Sequence, residues 1–170
     1  MLAVHRGQSP FFMQERMGKD GKPFKIIKIK SMTDTFNEFS NVDERVSKAG
    51  VFIRKTKLDE LPQLINVLKG EMSIVGPRPL PRNEHIAGSG VLSVTPGMTG
   101  QYQIQNTNEI SVEDRSKIDM QYIQTITPMN QVERLQYDLS IIAKTPASII
   151  KNWKVSHYRK ETSLPRNYDQ

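Results

Sequence analysis

The stretch TKLDELPQLINVLKG, Thr56 to Gly70, decides how the middle of the chain is read. Leu58, Leu61, Leu64, Ile65 and Leu68 recur at intervals of three and four residues, the spacing of one face of an α-helix. Gly70 stands where a helix stop belongs. Pro62 is tolerated only in a first turn, where its missing N–H would have had no partner, so the helix must begin within about four residues before it. The spacing therefore predicts a helix over 59–69 with the adjacent carboxylates Asp59 and Glu60 at its N-terminus. An aspartate there accepts backbone N–H bonds and complements the positive end of the dipole, a contribution of about 1 kcal/mol. By this reading the pair is a cap, and the neighbours decide whether it is also chemistry.

Directly after Gly70, the segment SIVGPRPLPRNE sets Pro77, Pro79 and Pro81 around Arg78 and Arg82. Prolines at that density make a stiff, non-helical loop, so its arginines are held. A helix N-terminus is where phosphate binds most readily, and arginine is a natural clamp for it. Arg78 on this reading is either a surface guanidinium with a structural partner or a phosphate clamp, and its place between two prolines favours the clamp. A carboxylate that attacks a phosphoryl group forms an acyl-phosphate, but the two anions repel and the site must supply cations. Arg54, Lys55, Arg78 and Arg82 surround the pair in sequence, and a divalent ion on oxygen ligands would complete the neutralisation. Glu60 is a candidate to hold that ion, with Asp59, or to act as a base.

Upstream, GKDGKPF places Gly18, Asp20 and Gly21 in a turn that leads into FKIIKIKSM, an extended segment with Phe24, Ile26 and Ile29 inward and Lys25, Lys28 and Lys30 at the rim. Residues 34–50 read as a polar, partly helical connector ending at Gly50. Downstream, VTPGMTGQYQI reads as a Pro96-Gly97 turn, with Gly100 giving a second flexible point before a short extended run. SVEDRSKIDMQYIQTI begins with Ser111 as a cap and puts Arg115 and Asp119 at i and i+4, where an exposed ion pair is the simplest reading of Asp119. VERLQYDLSIIAK is a last helix, with Leu135, Leu139 and Ile142 on one side and Arg134 and Lys144 at its ends. After Trp153 the chain is polar, and a loose tail over 154–170 is expected.

The 170 residues suit one domain, and 36% hydrophobic content is enough for a modest core. There is no cysteine, which excludes disulfides and thiolate metal sites. Lysine and arginine exceed aspartate and glutamate by 24 to 18, a net +6 that favours an anionic partner. No window approaches the roughly 18 apolar residues of a spanning helix, and MLAVHRGQSPFF lacks a signal-peptide layout. His5, His85 and His157 have no ligand spacing and receive no metal or acid-base role. No Walker loop, nucleophile elbow or dinucleotide fingerprint is present. At 7% aromatic residues and without a recognition motif, a nucleic-acid-binding module is disfavoured.

These residues together resemble the bacterial sugar transferase family, small monotopic polyprenol-phosphate phosphoglycosyl transferases. The resemblance runs from about Gly7 to Thr145 through SPFFMQERMGKDGKPFKIIK, FIRKTKLDELPQLINVLKGEMSIVGPRPL, PGMTG, DRSKIDMQYI and YDLSIIAKT, in the family's order. It implies transfer of a sugar-1-phosphate from a UDP-sugar to undecaprenyl phosphate, releasing UMP and initiating lipid-linked glycan assembly (O-antigen, capsule, exopolysaccharide or glycoprotein). The family's Asp-Glu pair falls on Asp59 and Glu60, with the aspartate as nucleophile in a ping-pong reaction that needs Mg²⁺ (or Mn²⁺). Its proline-arginine-proline loop falls on Pro77, Arg78 and Pro79, its Asp-x-x-Tyr on Asp119 and Tyr122, and its basic strand on Lys25 and Lys28.

Three features depart from the family pattern. Members normally begin with a hydrophobic re-entrant membrane helix before the segment GQSPFF; only six residues precede Gly7, so a chain without that anchor is expected. Ile29, Lys30 and Ser31 stand where the family has Phe, Arg and Thr. Gln105 to Thr107, QNT, replaces Asn-Gly-Arg, and an arginine lost near a diphosphate would remove a charge-assisted contact. The expected fold is α+β, a compact and mainly helical domain with a small β element of membrane-interface type, over 1–153. The expected place is the cytoplasmic face of the bacterial inner membrane, held peripherally by the anionic surface, or the soluble cytoplasm without an anchor. Other glycan-assembly enzymes are further expected partners. The alternative is a catalytically impaired, truncated homologue that binds nucleotide-sugars or a partner transferase.

Overall fold

A computed structural model describes residues 9–31, 48–82, 90–105 and 111–161, with side chains placed through residue 151. The polar connector over 34–47, the histidines at 5 and 85, and Asn106 and Thr107 of the QNT segment lie outside the described residues. The fold is mixed, with two small sheets and five helices among the described residues. Among the described residues no helix is long and apolar enough to cross a membrane.

The first sheet is a hairpin of β1 (Phe11–Met17) and β2 (Pro23–Ile29), with β4 (Leu80–Pro81) added antiparallel to β1, giving the order β2-β1-β4. The hairpin closes on the predicted turn: Gly18 N–H donates to Lys22 O at 2.8 Å, and Asp20 and Gly21 both take left-handed backbone. Phe24 and Ile26 are buried as the alternation of β2 requires, but Ile29, expected inward, falls on the opposite face and is half-buried, and Lys28, expected at the rim, takes the Phe24 and Ile26 face. In the register, Arg16 lies opposite Phe24 and Phe12 opposite Lys28, so Arg16 shares the Phe24, Ile26 and Lys28 face.

Helix α1 (Lys48–Lys55) continues through Gly50, which is buried within it. A 3-10 turn, Leu58–Glu60, follows, and α2 (Gln63–Leu68) begins after Pro62. The predicted single helix over 59–69 is thus a 3-10 turn and a shorter α-helix, with Pro62 at the junction. At its C-terminus Gly70 adopts φ +75°, its N–H donates to Val67 O at 2.9 Å, and Glu71 N–H donates to Asn66 O at 3.0 Å. This is the paired-bond stop that glycine makes possible.

The apolar repeat of this region forms one face, and that face points outward. Leu58, Leu61, Leu64, Ile65 and Leu68 are all exposed, Leu68 at 88%, whereas Gln63 and Asn66 are buried, Asn66 completely. Asn66 explains the inversion. Its Nδ2 donates to Lys25 O at 2.9 Å and to Glu71 Oε2 at 2.7 Å, and its Oδ1 accepts from Ile27 N–H at 3.3 Å. The side chain therefore pairs with the open edge of β2 as another strand would. Val67, Phe24, Ile26, Met72 and Met98 form the small apolar cluster beside it.

The second sheet pairs β3 (Ser73–Val75) parallel with β5 (Gly97–Thr99). Between β3 and β4 the chain passes Gly76, whose backbone meets Gly97 and Gly100 so closely that a Cβ on either would land on Gly76 backbone atoms. Helix α3 (Gln101–Ile104) follows at once, so the short extended run predicted after Gly100 is helical. Helix α4 (Val112–Ile126) is capped by Ser111, whose hydroxyl accepts from Asp114 N–H at 3.0 Å. Helix α5 (Gln131–Glu161) runs past Trp153, where the tail was expected to loosen. It packs Ile141 and Tyr137 against Val75, Tyr122, Ile123 and Ile126, and leaves Leu135, Leu139 and Ile142 exposed.

Replacing Asn66 by Ala leaves the Ile27 N–H and the Lys25 carbonyl without their partner and should lower unfolding free energy by about 2–4 kcal/mol. Leu68→Ala, at the end of the apparent apolar stripe, should change it by less than about 0.5 kcal/mol. Urea unfolding of both variants checks this, and a larger loss at Leu68 than at Asn66 would contradict the inverted helix.

Candidate functional site

An open cleft lies where β2, the 3-10 turn, α2, the Pro77–Pro79 loop, β5 and α3 converge. Arg16, Lys28, Lys57 and Arg78 supply four cations to its wall and Glu60 supplies the one acidic group; Gln63, Met98 and Gln103 are further lining side chains. Lys28 and Arg78 are thus brought together, whereas Arg54 is exposed on α1 and Arg82 pairs with Glu15 at 2.9 Å. Arg16 and Lys57 were not singled out by sequence reasoning. Lys57 adjoins the carboxylate pair, and Arg16 lies on β1, whose largely exposed residues give no alternating burial signal.

The carboxylate pair does not cap a helix by its side chains. No side-chain cap bond is made at the start of the 3-10 turn or of α2. Glu60 Oε1 instead accepts from Lys28 Nζ at 2.9 Å and lies 3.6 Å from Lys57 Nζ. Burial pushes the Glu60 carboxyl up, but Lys57, Lys28 and the more distant Arg78 outweigh it and hold it below its ordinary range. Asp59 is moved the other way. Burial raises its carboxyl above the usual value, the charge of Glu60 adds to the rise, and Lys28 and Lys57 oppose it. Its Oδ1 is buried without a hydrogen-bond partner. Neighbouring carboxylates in unlike environments are a common arrangement where one is held as an anion and the other is kept reactive.

Among the described residues no cluster of three or more His, Cys, Asp and Glu side chains is placed to hold a metal. Asp59 and Glu60 nonetheless fit a magnesium ion, which takes one or two protein carboxylates and completes its shell with waters and substrate phosphates. The orphaned Oδ1 of Asp59 is the oxygen available for that purpose.

Asp119 and Tyr122 do not line the cleft. Asp119 is 1% exposed rather than a surface partner of Arg115; its carboxylate faces the backbone N–H of Arg78, and its Oδ1 is buried without a hydrogen-bond partner. It lies against the proline-arginine loop. Burial lifts its carboxyl to about 7 against the pull of that N–H and of the Arg115 and Arg78 charges. Tyr122 is buried in the core, stacks on Tyr137 and donates its hydroxyl to Asp138 at 2.9 Å on α5.

The pattern of the bacterial sugar transferase family matches residues 1–152. The chain is 35% identical over 169 residues to a UDP-galactose-lipid carrier transferase of Erwinia amylovora, covering 85% of this chain and 34% of that protein. It is 35% identical to the exopolysaccharide production protein ExoY of Rhizobium meliloti, covering 82% of this chain and 69% of the relative. An undecaprenyl-phosphate galactose phosphotransferase of Salmonella typhimurium is 32% identical, with 85% of this chain and 34% of the relative covered. The chain thus spans about a third of the Erwinia and Salmonella proteins and about two thirds of the Rhizobium one.

The raised Asp119 carboxyl has a definite pH signature. With a folded value of about 7 against 3.8, the folded state holds a proton that the unfolded state releases, so this contribution to stability is full below about pH 4 and is lost as pH rises through 7. Asp119→Asn keeps an acceptor for the Arg78 N–H and removes the titration. Its stability relative to the unsubstituted protein should rise between pH 5 and pH 8, on the order of 3 kcal/mol in denaturant titrations. Parallel pH profiles for the two proteins would contradict the buried placement.

Proposed function

We propose the following activity for this chain, which belongs to the bacterial sugar transferase family: transfer of a sugar-1-phosphate from a UDP-sugar to undecaprenyl phosphate, with release of UMP. The observation that carries the reading is the unlike pair: Glu60, on the cleft wall and neutralised by lysines, and next to it in sequence Asp59, which has a buried, unpartnered oxygen and is not itself among the lining residues. The names of the Erwinia and Salmonella relatives, which include a lipid carrier and undecaprenyl phosphate, support the acceptor.

In the proposed sequence Asp59 attacks the sugar-bearing phosphorus of the UDP-sugar. An aspartyl–phosphosugar bond forms as the bond to the bridging oxygen breaks, and UMP leaves with that oxygen. An oxygen of undecaprenyl phosphate then attacks the same phosphorus, forming the lipid diphosphate sugar and returning the Asp59 carboxylate. Because a carboxylate must approach an anionic diphosphate, the positive charge that Arg16, Lys28 and Arg78 bring to the wall is essential to the first step. Arg78 is suited to clamp a phosphate because prolines on both sides and Asp119 against its N–H fix its backbone. The positive potential comes from these side chains rather than from a helix dipole, since α2 begins beyond the pair. Asp59 and Glu60 would hold Mg²⁺ (or Mn²⁺), which would neutralise charge on the transferring group.

The outward row Leu58, Leu61, Leu64, Ile65 and Leu68 begins beside the carboxylates. A contiguous apolar face at that position supports peripheral attachment to an anionic membrane surface, the cytoplasmic face of the inner membrane, from which a polyprenyl acceptor would reach Asp59. Such a chain would serve the first membrane step of lipid-linked glycan assembly.

Asp59→Asn should abolish UMP release from UDP-sugars in the presence of Mg²⁺, undecaprenyl phosphate and detergent. Because the substitution removes a partly buried charge and no cap, thermal stability should stay within about 1 kcal/mol of the unsubstituted protein. Residual UMP release near the original rate from the Asn variant would rule out Asp59 as the nucleophile.

A further inference from the structure

Lys57 holds an unusual backbone. Its φ is +61° and ψ 15°, the left-handed region that a long side chain enters at a cost. Among the described non-glycine residues only Asp20, in the hairpin turn, shares a positive φ. The bonds on either side fix the conformation: Lys57 N–H donates to Arg54 O at 3.3 Å, closing the run from α1, and Glu60 N–H donates to Lys57 O at 3.0 Å, opening the 3-10 turn. Strained residues persist where the geometry they impose is used. What this one imposes is the place of an ammonium group on the cleft wall.

That ammonium duplicates a contact already made. Lys57 Nζ lies 3.6 Å from Glu60 Oε1, the same oxygen that Lys28 meets at 2.9 Å. Lys28 is the closer and the more buried partner, with side-chain exposure of 26% against 56% for Lys57. Glu60 therefore keeps a cation if Lys57 leaves, and the long, exposed lysine is the one free to move. A diphosphate entering the cleft offers it a stronger, charge-assisted partner than an oxygen already paired with Lys28.

We propose that Lys57 is a mobile substrate-binding cation: it rests against Glu60 in the free protein and transfers its ammonium to a phosphate of the sugar nucleotide when that ligand enters the cleft. The proposal rests on the phosphoglycosyl transfer reading above. Lys57 makes and breaks no covalent bond, so its loss weakens ligand binding and leaves the chemical step little changed.

The left-handed backbone supplies clean variants. Lys57→Asn and Lys57→Gly both suit positive φ and remove the charge, so neither should melt below the unsubstituted protein, and Lys57→Arg restores the charge. Steady-state UMP release with the UDP-sugar varied, together with UDP affinity by calorimetry, reads the effect. KM for the UDP-sugar and Kd for UDP should each rise about tenfold in the two neutral variants, with kcat within about twofold, and Arg should recover most of the loss. An active wild type whose neutral variants keep their KM and UDP affinity overturns this proposal alone. A fall in kcat at unchanged KM also overturns it, since Lys57 would then act through Glu60 and not on the ligand. A wild type that binds UDP without turnover removes the activity reading and leaves the affinity comparison to decide Lys57; one that does neither overturns both.

Discussion

The side chain of Asn66 is the contact on which the rest of the molecule depends. A buried amide is tolerated only when its donors and acceptor are matched, and here they are matched by the carbonyl of Lys25, the carboxylate of Glu71 and the N–H of Ile27. Two consequences follow. The open edge of a short sheet is closed without another strand, and α2 is forced to show its polar side to the sheet. Once α2 is so oriented, the 3-10 turn before it brings Glu60 to Lys28, a residue 32 positions away in sequence. The leucines have nowhere to go but outward, and the apolar face that they form lies beside the carboxylates.

A second constraint sets the opposite wall of the cleft. Gly76, Gly97 and Gly100 pack backbone against backbone, at distances that leave no room for a Cβ on Gly97 or Gly100. The bonds from Gly76 N–H to Thr99 O at 2.9 Å and from Gly97 N–H to Pro77 O at 2.8 Å tie the proline-arginine loop to β5. Asp119, buried and not among the residues that line the cleft, faces the Arg78 backbone N–H. The arginine is exposed at its tip and fixed at its root, which is the combination a phosphate clamp requires.

Local chemistry was legible in the sequence, and packing partners were not. The hairpin turn at Gly18 to Gly21, the inward Phe24 and Ile26 of β2, the glycine stop at Gly70 and the Ser111 cap are decided by groups within a few residues of one another. The period of Leu58 to Leu68 says which residues share a face and says nothing of what that face meets; the decisive residue was Asn66, a polar side chain that periodicity counts as surface. The run after Gly100 reads as extended until the close approach to Gly76 is known, and α1 runs through Gly50, which was read as the end of the connector before it. Lys28, Glu60 and Arg78 were found because their residue types sit in a recognisable pattern. Arg16 escaped because its strand gives almost no alternation of burial. Asp119 and Tyr122 were read as ligand-binding; their burial places Asp119 against the Arg78 loop and Tyr122 in the core.

In the proposed reaction the Asp59 carboxylate becomes covalently joined to a sugar phosphate. Intact-protein and peptide mass spectrometry after brief mixing with a UDP-sugar and Mg²⁺, in the absence of any lipid acceptor, tests it most directly. The prediction is a mass gain of one sugar phosphate, confined to the peptide that carries Asp59, which disappears when undecaprenyl phosphate is added. Release of UMP with no such adduct, or an adduct on another residue, would contradict it.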